Sequence, residues 1–146
     1  MIASQWGKTP KASVLDECRQ RGTKNVVSSC VEILRGEDVD EATLLFLAGP
    51  AAEQVLQGRE QGLEGYWPRV WAMRGFLYAW NETAIPVVVA GANDEHWRVR
   101  EMSAKVVARH QISDAFDEME ELKGDPVPRV RNAADRALSR LVEFGV

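Results

Sequence analysis

The segment Asp94-Glu-His-Trp-Arg-Val-Arg-Glu-Met-Ser-Ala104 reappears, with changes, as Asp125-Pro-Val-Pro-Arg-Val-Arg-Asn-Ala-Ala-Asp135. The aspartate, the valine and the second arginine of one copy lie 31 residues from their counterparts in the other. A recurrence at a fixed spacing of about 20–50 residues is typical of repeat proteins, in which similar units stack side by side. The period therefore predicts the architecture of the C-terminal part of the chain.

Helical patterns fill the repeat region, near residues 66–80, 84–90, 96–110, 114–123 and 127–142. A weaker first copy of the repeat is centred on Val70. Upstream, within residues 12–60, four apolar stripes each end at a glycine, which predicts four short helices. No segment predicts a strand. The β-branched run Pro86-Val-Val-Val-Ala90 aligns with Asp117-Glu-Met-Glu-Glu121, whose composition favours a helix.

The repeated segments share the motif Asp-x-x-x-x-Val-Arg-x-x-Ala, carried by Asp94, Val99, Arg100 and Ser103 and again by Asp125, Val130, Arg131 and Ala134. This motif resembles HEAT-like repeats, the class also found in phycobilisome lyase-type proteins. The resemblance covers about residues 66–142 and is weak over 12–60. It implies an all-α protein, a right-handed α-solenoid of HEAT-like helical hairpins in which aspartate and arginine form a structural ladder between neighbouring repeats. In the first copy Gly65 replaces the aspartate and Trp71 the arginine, so the ladder should begin after it. Both aspartates are also candidate caps for the helices that follow them.

The length suits a single domain, residues 1–146, in which 12–60 form a helical N-terminal cap or degenerate repeats. The first long helix of the repeat region is apolar on all sides, which predicts burial beneath the N-terminal helices. The alternative is an open aromatic docking patch around Trp67, Phe76 and Trp80.

Composition narrows the class of protein. The 45% hydrophobic and 27% charged residues are ordinary for a soluble globular chain. The net charge of −4 disfavours general binding to nucleic acid or to membrane surfaces. No signal peptide and no apolar run near the length of a membrane span is evident, so a cytoplasmic protein is expected. Cys18 and Cys30 lie among apolar residues, as small buried hydrophobes would.

Residues typical of catalysis or metal binding are sparse. His96 and His110 have no second histidine or cysteine at metal-ligand spacing, and no phosphate-binding loop or nucleophile elbow occurs. Bilin lyase activity is associated with such repeats only at the level of the fold, and fold does not carry function. We therefore expect a non-enzymatic protein without cofactors or metals.

One face of the helix near 114–123 is strongly acidic. Phe116 and Met119 are expected to face the core, and the opposite side carries Asp114, Asp117, Glu118 and Glu121. The short helices of a HEAT stack line its concave face, where uncharged Val87 of the preceding repeat would lie beside this stripe. These five residues predict a site for a basic segment of a partner protein, in a scaffold or adaptor. The alternative is a face that is only solvated.

A basic edge offers an alternative function. It comprises Arg98, Lys105, Arg109, Arg129, Arg136 and Arg140. Cations on adjacent ridges suit nucleic acid or phosphate, but they would equally pair with acids of the neighbouring repeat. The last helix carries a polar face of Asn132, Asp135, Arg136 and Ser139, as a terminal repeat requires. A monomer or a weak homodimer is expected.

Overall fold

The computed structural model describes residues 8–37, 40–57 and 65–143, and these ranges contain helices and turns but no strand. The all-α prediction is confirmed. The described helices are α1 (Pro10–Arg21), α2 (Thr23–Leu34), α3 (Glu41–Ala48), α4 (Pro50–Leu56), α5 (Trp67–Gly75), α6 (Ile85–Gly91), α7 (Trp97–His110), α8 (Phe116–Leu122) and α9 (Pro128–Glu143), with short 3₁₀ turns at Glu82–Ala84 and Ser113–Ala115. None of them combines the length and the apolar character that spanning a membrane requires. Contacts group the chain into two compact units, Met1–Ala84 and Ile85–Val146.

Side-chain hydrogen bonds cap the N-termini of helices α1 and α3 in the first unit. The Thr9 hydroxyl accepts a hydrogen bond from the Ala12 amide at 3.1 Å, and the Asp40 carboxylate accepts one from the Ala42 amide at 3.1 Å. Each satisfies an amide that has no partner inside its helix. Gly22 separates α1 from α2 with φ of 89°, a conformation that a glycine adopts without strain. The four N-terminal helices therefore lie where the glycine-bounded stripes predicted them.

Helix α5 is buried against α2 and α3, as its all-round apolar character predicted. Gly75 lets α5 approach α2 and α3 closely, because a Cβ at this position would lie 3.1 Å from Leu47 Cδ2 and 3.2 Å from Cys30 Sγ. The Arg74 guanidinium donates to the Leu47 carbonyl at 2.8 Å, and burial lowers its pKa. The N-terminal helices thus share a core with the first copy of the repeat.

The predicted extent of α5 was wrong at its C-terminal end. The pattern predicted a helix near 66–80, whereas α5 ends at Gly75 and the chain continues as turns. The Phe76 amide donates to the Met73 carbonyl at 3.1 Å, a tighter i→i+3 bond, and the Phe76 ring is fully buried. An open patch that includes Phe76 is therefore not formed, although Trp67 and Trp80 remain partly exposed.

The second unit contains α6 to α9, and α7 packs along α9. Its helix boundaries agree with the predicted ones to within two or three residues. The β-branched run lies in α6, as its repeat partner predicted. Val99 and Val130, the equivalent valines of the two copies, are both fully buried. Ser103, the small residue of the motif, donates its hydroxyl proton to the Val88 carbonyl at 2.7 Å and so ties α7 to α6.

The predicted ladder contact is present between the two closely matching copies of the motif. Arg100 Nε and Nη2 donate to the two carboxylate oxygens of Asp125 at 2.7 and 3.3 Å. Arg100 Nη1 also donates to the Asp94 carbonyl at 2.9 Å, and Arg131 Nη1 donates to the Asp125 carbonyl at 2.8 Å. Because Asp125 is only 7% exposed, this pair is a structural element that joins α7 to the loop before α9.

The aspartates do not cap their helices as predicted. Asp94 accepts from the His96 amide and Asp125 from the Val127 amide, both at 2.9 Å. Each aspartate lies three residues before the first helical residue, so its side chain reaches a loop amide instead of a helical one. At α7 the cap is His96, whose Nδ1 accepts from the Arg98 amide at 3.2 Å. This arrangement leaves the Asp125 carboxylate available to Arg100.

Candidate functional site

The predicted acidic stripe lies on α8 and the 3₁₀ turn before it. Asp114, Asp117 and Glu121 are exposed and Glu118 is half-buried. Met119 and Leu122 are buried on the other side, whereas Phe116 is only partly so. The helical period thus separates carboxylates from core residues, as expected for a surface helix.

No counter-charge is found for these four carboxylates among the residues that the structure describes. Within residues 8–37, 40–57 and 65–143, no lysine or arginine forms an ion pair with any of them. Asp117 and Glu121 are four residues apart within α8, a spacing at which like charges destabilise a helix by about 0.2–0.5 kcal/mol per pair. Asp114 has the same separation from Glu118 but lies in the preceding 3₁₀ turn. The helix dipole compensates near the first turn, where Asp117 and Glu118 lie, but it disfavours Glu121 in the last turn.

Val87 contributes less to this surface than predicted. It lies on α6, but its side chain is only 8% exposed and belongs to the core of the second unit. Its neighbours Pro86 and Ala90 are the exposed residues of that helix. The carboxylates of α8 therefore carry the recognisable chemistry of the predicted site.

The basic edge is partly neutralised by a residue that sequence reasoning did not single out. Arg129 Nε and Nη2 donate to the two carboxylate oxygens of Glu101 at 2.9 and 3.1 Å. Lys105 Nζ lies 3.7 Å from the same carboxylate. Glu101 is 7% exposed, so the edge is built around a buried acid. In the sequence, the four-residue spacing of Glu101 and Lys105 already indicated an ion pair between them. The contact of Glu101 with Arg129 depends instead on how α7 and α9 pack.

Trp97, the first residue of α7, contacts two arginines of the basic edge. The guanidinium carbons of Arg98 and Arg129 lie 4.5 and 5.1 Å from its ring centroid. The His96 ring lies 6.1 Å away at an interplanar angle of 24°. Such contacts favour cations over the face of an indole. Arg129 is therefore held by both a carboxylate and a ring, which restricts its freedom to bind an external anion.

The two thiols and the two histidines are wholly or partly buried. Cys30 is fully buried, which raises the pKa of its thiol to about 12 and keeps it protonated, whereas Cys18 is half-buried; both are free. His96 caps α7 and His110 is half-buried. In the part of the chain that the structure describes, no group of three or more histidines, cysteines, aspartates and glutamates is arranged to hold a metal ion.

Comparison with known proteins identified no related protein. No protein-family model matches the chain, and neither the curated proteins nor the solved structures contain a match to it. Function is therefore inferred from the charges and contacts described above.

Proposed function

We propose that this chain is a non-enzymatic protein-interaction module, a scaffold or adaptor, and that its α8 stripe of Asp114, Asp117, Glu118 and Glu121 binds a basic segment of another protein. The observation that carries the proposal is the lack of a counter-charge for these carboxylates among the described residues. A cationic partner would offset the repulsion between carboxylates that α8 otherwise bears.

A HEAT-like, right-handed α-solenoid is the architecture that we propose for the repeats. Two observations support it. Arg100 and Asp125, which hold the motif's arginine and aspartate positions in successive copies, bind each other across α7 and the loop before α9. Val99 and Val130, one period apart, are equally buried. In such a stack short helices like α8 line one surface, which would present its carboxylates to a partner.

The charges of the second unit favour the acidic stripe over the basic edge. Lys105 and Arg129 are already paired with Glu101 of the same chain, so part of the positive charge of the basic edge is neutralised. Among the described residues, the carboxylates of the stripe have no such cationic partner. Nucleic-acid or phosphate binding through the edge of Arg98, Lys105, Arg109, Arg129, Arg136 and Arg140 is therefore the weaker alternative.

Charge reversal of the stripe tests the proposal. The variant carries lysine at Asp114, Asp117, Glu118 and Glu121. A matched control reverses four exposed acids elsewhere, Glu32, Glu37, Glu82 and Asp135, and changes the net charge by the same amount. Binding of a fluorescent lysine- and arginine-rich peptide is followed by anisotropy, and circular dichroism checks that each variant stays folded.

The stripe variant should weaken peptide binding at least about tenfold, whereas the control should retain more of it, because the proposal concerns local and not net charge. Binding to the wild type should also weaken with salt, since exposed charges are screened over about 10 Å at 0.1 M. Equal losses in both variants would refute a specific stripe. Titration of a short DNA duplex at low salt tests the alternative, and absence of binding would remove it.

The proposal places the chain in the cytoplasm as a monomer or a weak homodimer. Both cysteines are free thiols, which suits a reducing compartment. Sedimentation equilibrium over a range of concentrations measures the oligomeric state.

A further inference from the structure

A half-open cavity of about 170 Å³ lies in the first unit, away from the acidic stripe along the chain. It is lined by Ala51, Gln54 and Val55 of α4 and by Trp67 and Trp71 of α5. Val55 is 1% and Trp71 5% exposed, so the floor is part of the core, whereas Ala51 and Gln54 are exposed at the rim. The cavity is therefore held by packed residues and is open at one side.

The Trp71 indole, which forms one wall of this cavity, aligns in sequence with the ladder arginine of the other copies of the repeat. Trp71 occupies the position of Arg100 and Arg131, and Gly65 occupies the position of the aspartate. Trp71 stacks on Trp67 with centroids 6.1 Å apart and an interplanar angle of 23°. The first copy therefore lacks the arginine and aspartate of the ladder, and it has an aromatic side chain that lines a cavity instead.

The lining defines the chemistry of a ligand. None of the five described lining residues is charged, so an anion would lose its hydration without a counter-charge from them, and a cation would find only the faces of the two indoles. Gln54 is the polar side chain at the rim, and its amide both donates and accepts hydrogen bonds. A cavity of about 150 Å³ lined by apolar side chains is known to hold benzene, so the volume suits one ring system.

We propose that this cavity binds a small neutral aromatic molecule, of the size of phenol or indole, that carries one hydrogen-bonding group. The ring packs against Trp67 and Trp71 in the offset or edge-to-face geometry that aromatic pairs prefer. Its polar group meets the Gln54 amide at the open side. This assignment is independent of the acidic stripe, which lies in the second unit.

The indole N–H resonances of the full-length protein test the site. The chain has five tryptophans, and single Trp→Phe variants assign their signals in ¹⁵N-correlated spectra. Phenol and indole should shift the Trp67 and Trp71 signals saturably and leave that of Trp97 unchanged. Absence of saturable shifts at millimolar concentrations would overturn the proposal. Equal binding of cyclohexanol or of tetramethylammonium would overturn its aromatic or its neutral character.

A paired substitution separates the cavity from general surface effects. Ala51→Leu adds bulk at the exposed rim and should weaken phenol binding by roughly tenfold or more. Ala42→Leu places the same side chain on an exposed position of α3 that does not line the cavity, and it should leave binding unchanged. Undiminished binding to the Ala51→Leu variant would show that the ligand lies elsewhere and would overturn the assignment.

Discussion

Replacement of Asp125 by asparagine should destabilise the second unit strongly, because it removes the charge of the ladder while keeping its shape. The carboxylate accepts two hydrogen bonds from Arg100, at 2.7 and 3.3 Å, and one from the Val127 amide at 2.9 Å. An asparagine oxygen can still accept from the amide. Its NH₂ group, however, would face the guanidinium of Arg100, and two donors cannot bond each other.

The magnitude follows from the burial of the pair. The side chains of Arg100 and Asp125 are 15% and 5% exposed, so solvent screens them little. Breaking a buried ion pair by removing one partner costs about 3–5 kcal/mol. Arg100 keeps its bonds to the Asp94 and Glu95 carbonyls, which places the expected loss of unfolding free energy near the lower limit, about 3 kcal/mol. For a chain of this size that corresponds to a fall in Tm of about 6–12 °C.

Urea unfolding measures the free energy, and hydrogen exchange locates the change. Faster exchange is expected in α7 and α9, which the pair connects. Asp135→Asn is the matched control, since Asp135 is exposed on α9 and should lose less than about 0.5 kcal/mol. An Arg100→Gln change added to Asp125→Asn should cost less than the sum of the single changes, because it removes the stranded cation. A loss no larger than that of the control would refute the structural role of the ladder.

Three further predictions concern other parts of the chain. Glu101 and Arg129 should show a coupling of only about 1 kcal/mol in a double-mutant cycle of glutamine variants, because Arg129 is 63% exposed; a coupling near zero would contradict the paired geometry. The pKa of Cys30 is raised to about 12 in the folded protein, so between about pH 9 and 12 the unfolded chain binds fewer protons and stability should fall as pH rises. Urea unfolding at several pH values checks this, and the Cys30→Ala variant should show a shallower fall. Gly75→Ala should lower stability by about 1 kcal/mol in urea unfolding, because overpacking beside fully buried side chains exceeds the gain in helix propensity; a stabilised variant would show that the neighbours can yield.

The sequence was sufficient where short-range chemistry decides the structure. The helix predicted near 96–110 is observed at Trp97–His110, and the stripe that ends at Gly22 is observed as a helix ending at Arg21. The resemblance to HEAT-like repeats implied a ladder of aspartate and arginine between neighbouring copies, and Arg100 does contact Asp125. Glycine stops and a repeated motif act over a few residues or one period, so a single sequence records them.

The sequence was insufficient where packing between elements decides. The period alone extended α5 past Gly75, although burial of Phe76 draws the chain into tighter turns there. Val87 was placed on the surface by its alignment with an acidic residue, yet it is buried. Glu101 was not singled out, because its partner Arg129 is 28 residues away and meets it only when α7 and α9 pack.

Equivalent positions of the two copies both lie on helices but have different surroundings, and this difference decides the chemistry of the surface. Ala104 on α7 is fully buried, whereas Asp135, one period later on α9, is exposed. Likewise, Ala108 on α7 is half-buried, whereas Ser139, one period later on α9, is exposed. The first member of each pair lies on a helix that α9 covers, and the second lies on α9 itself. The period therefore places Val99 and Val130 alike in the core, whereas the polarity of individual residues specifies which helix faces remain in water. Surface function in such a chain must be sought where two copies differ, and both the acidic α8 and the aromatic replacement at Trp71 are differences of that kind.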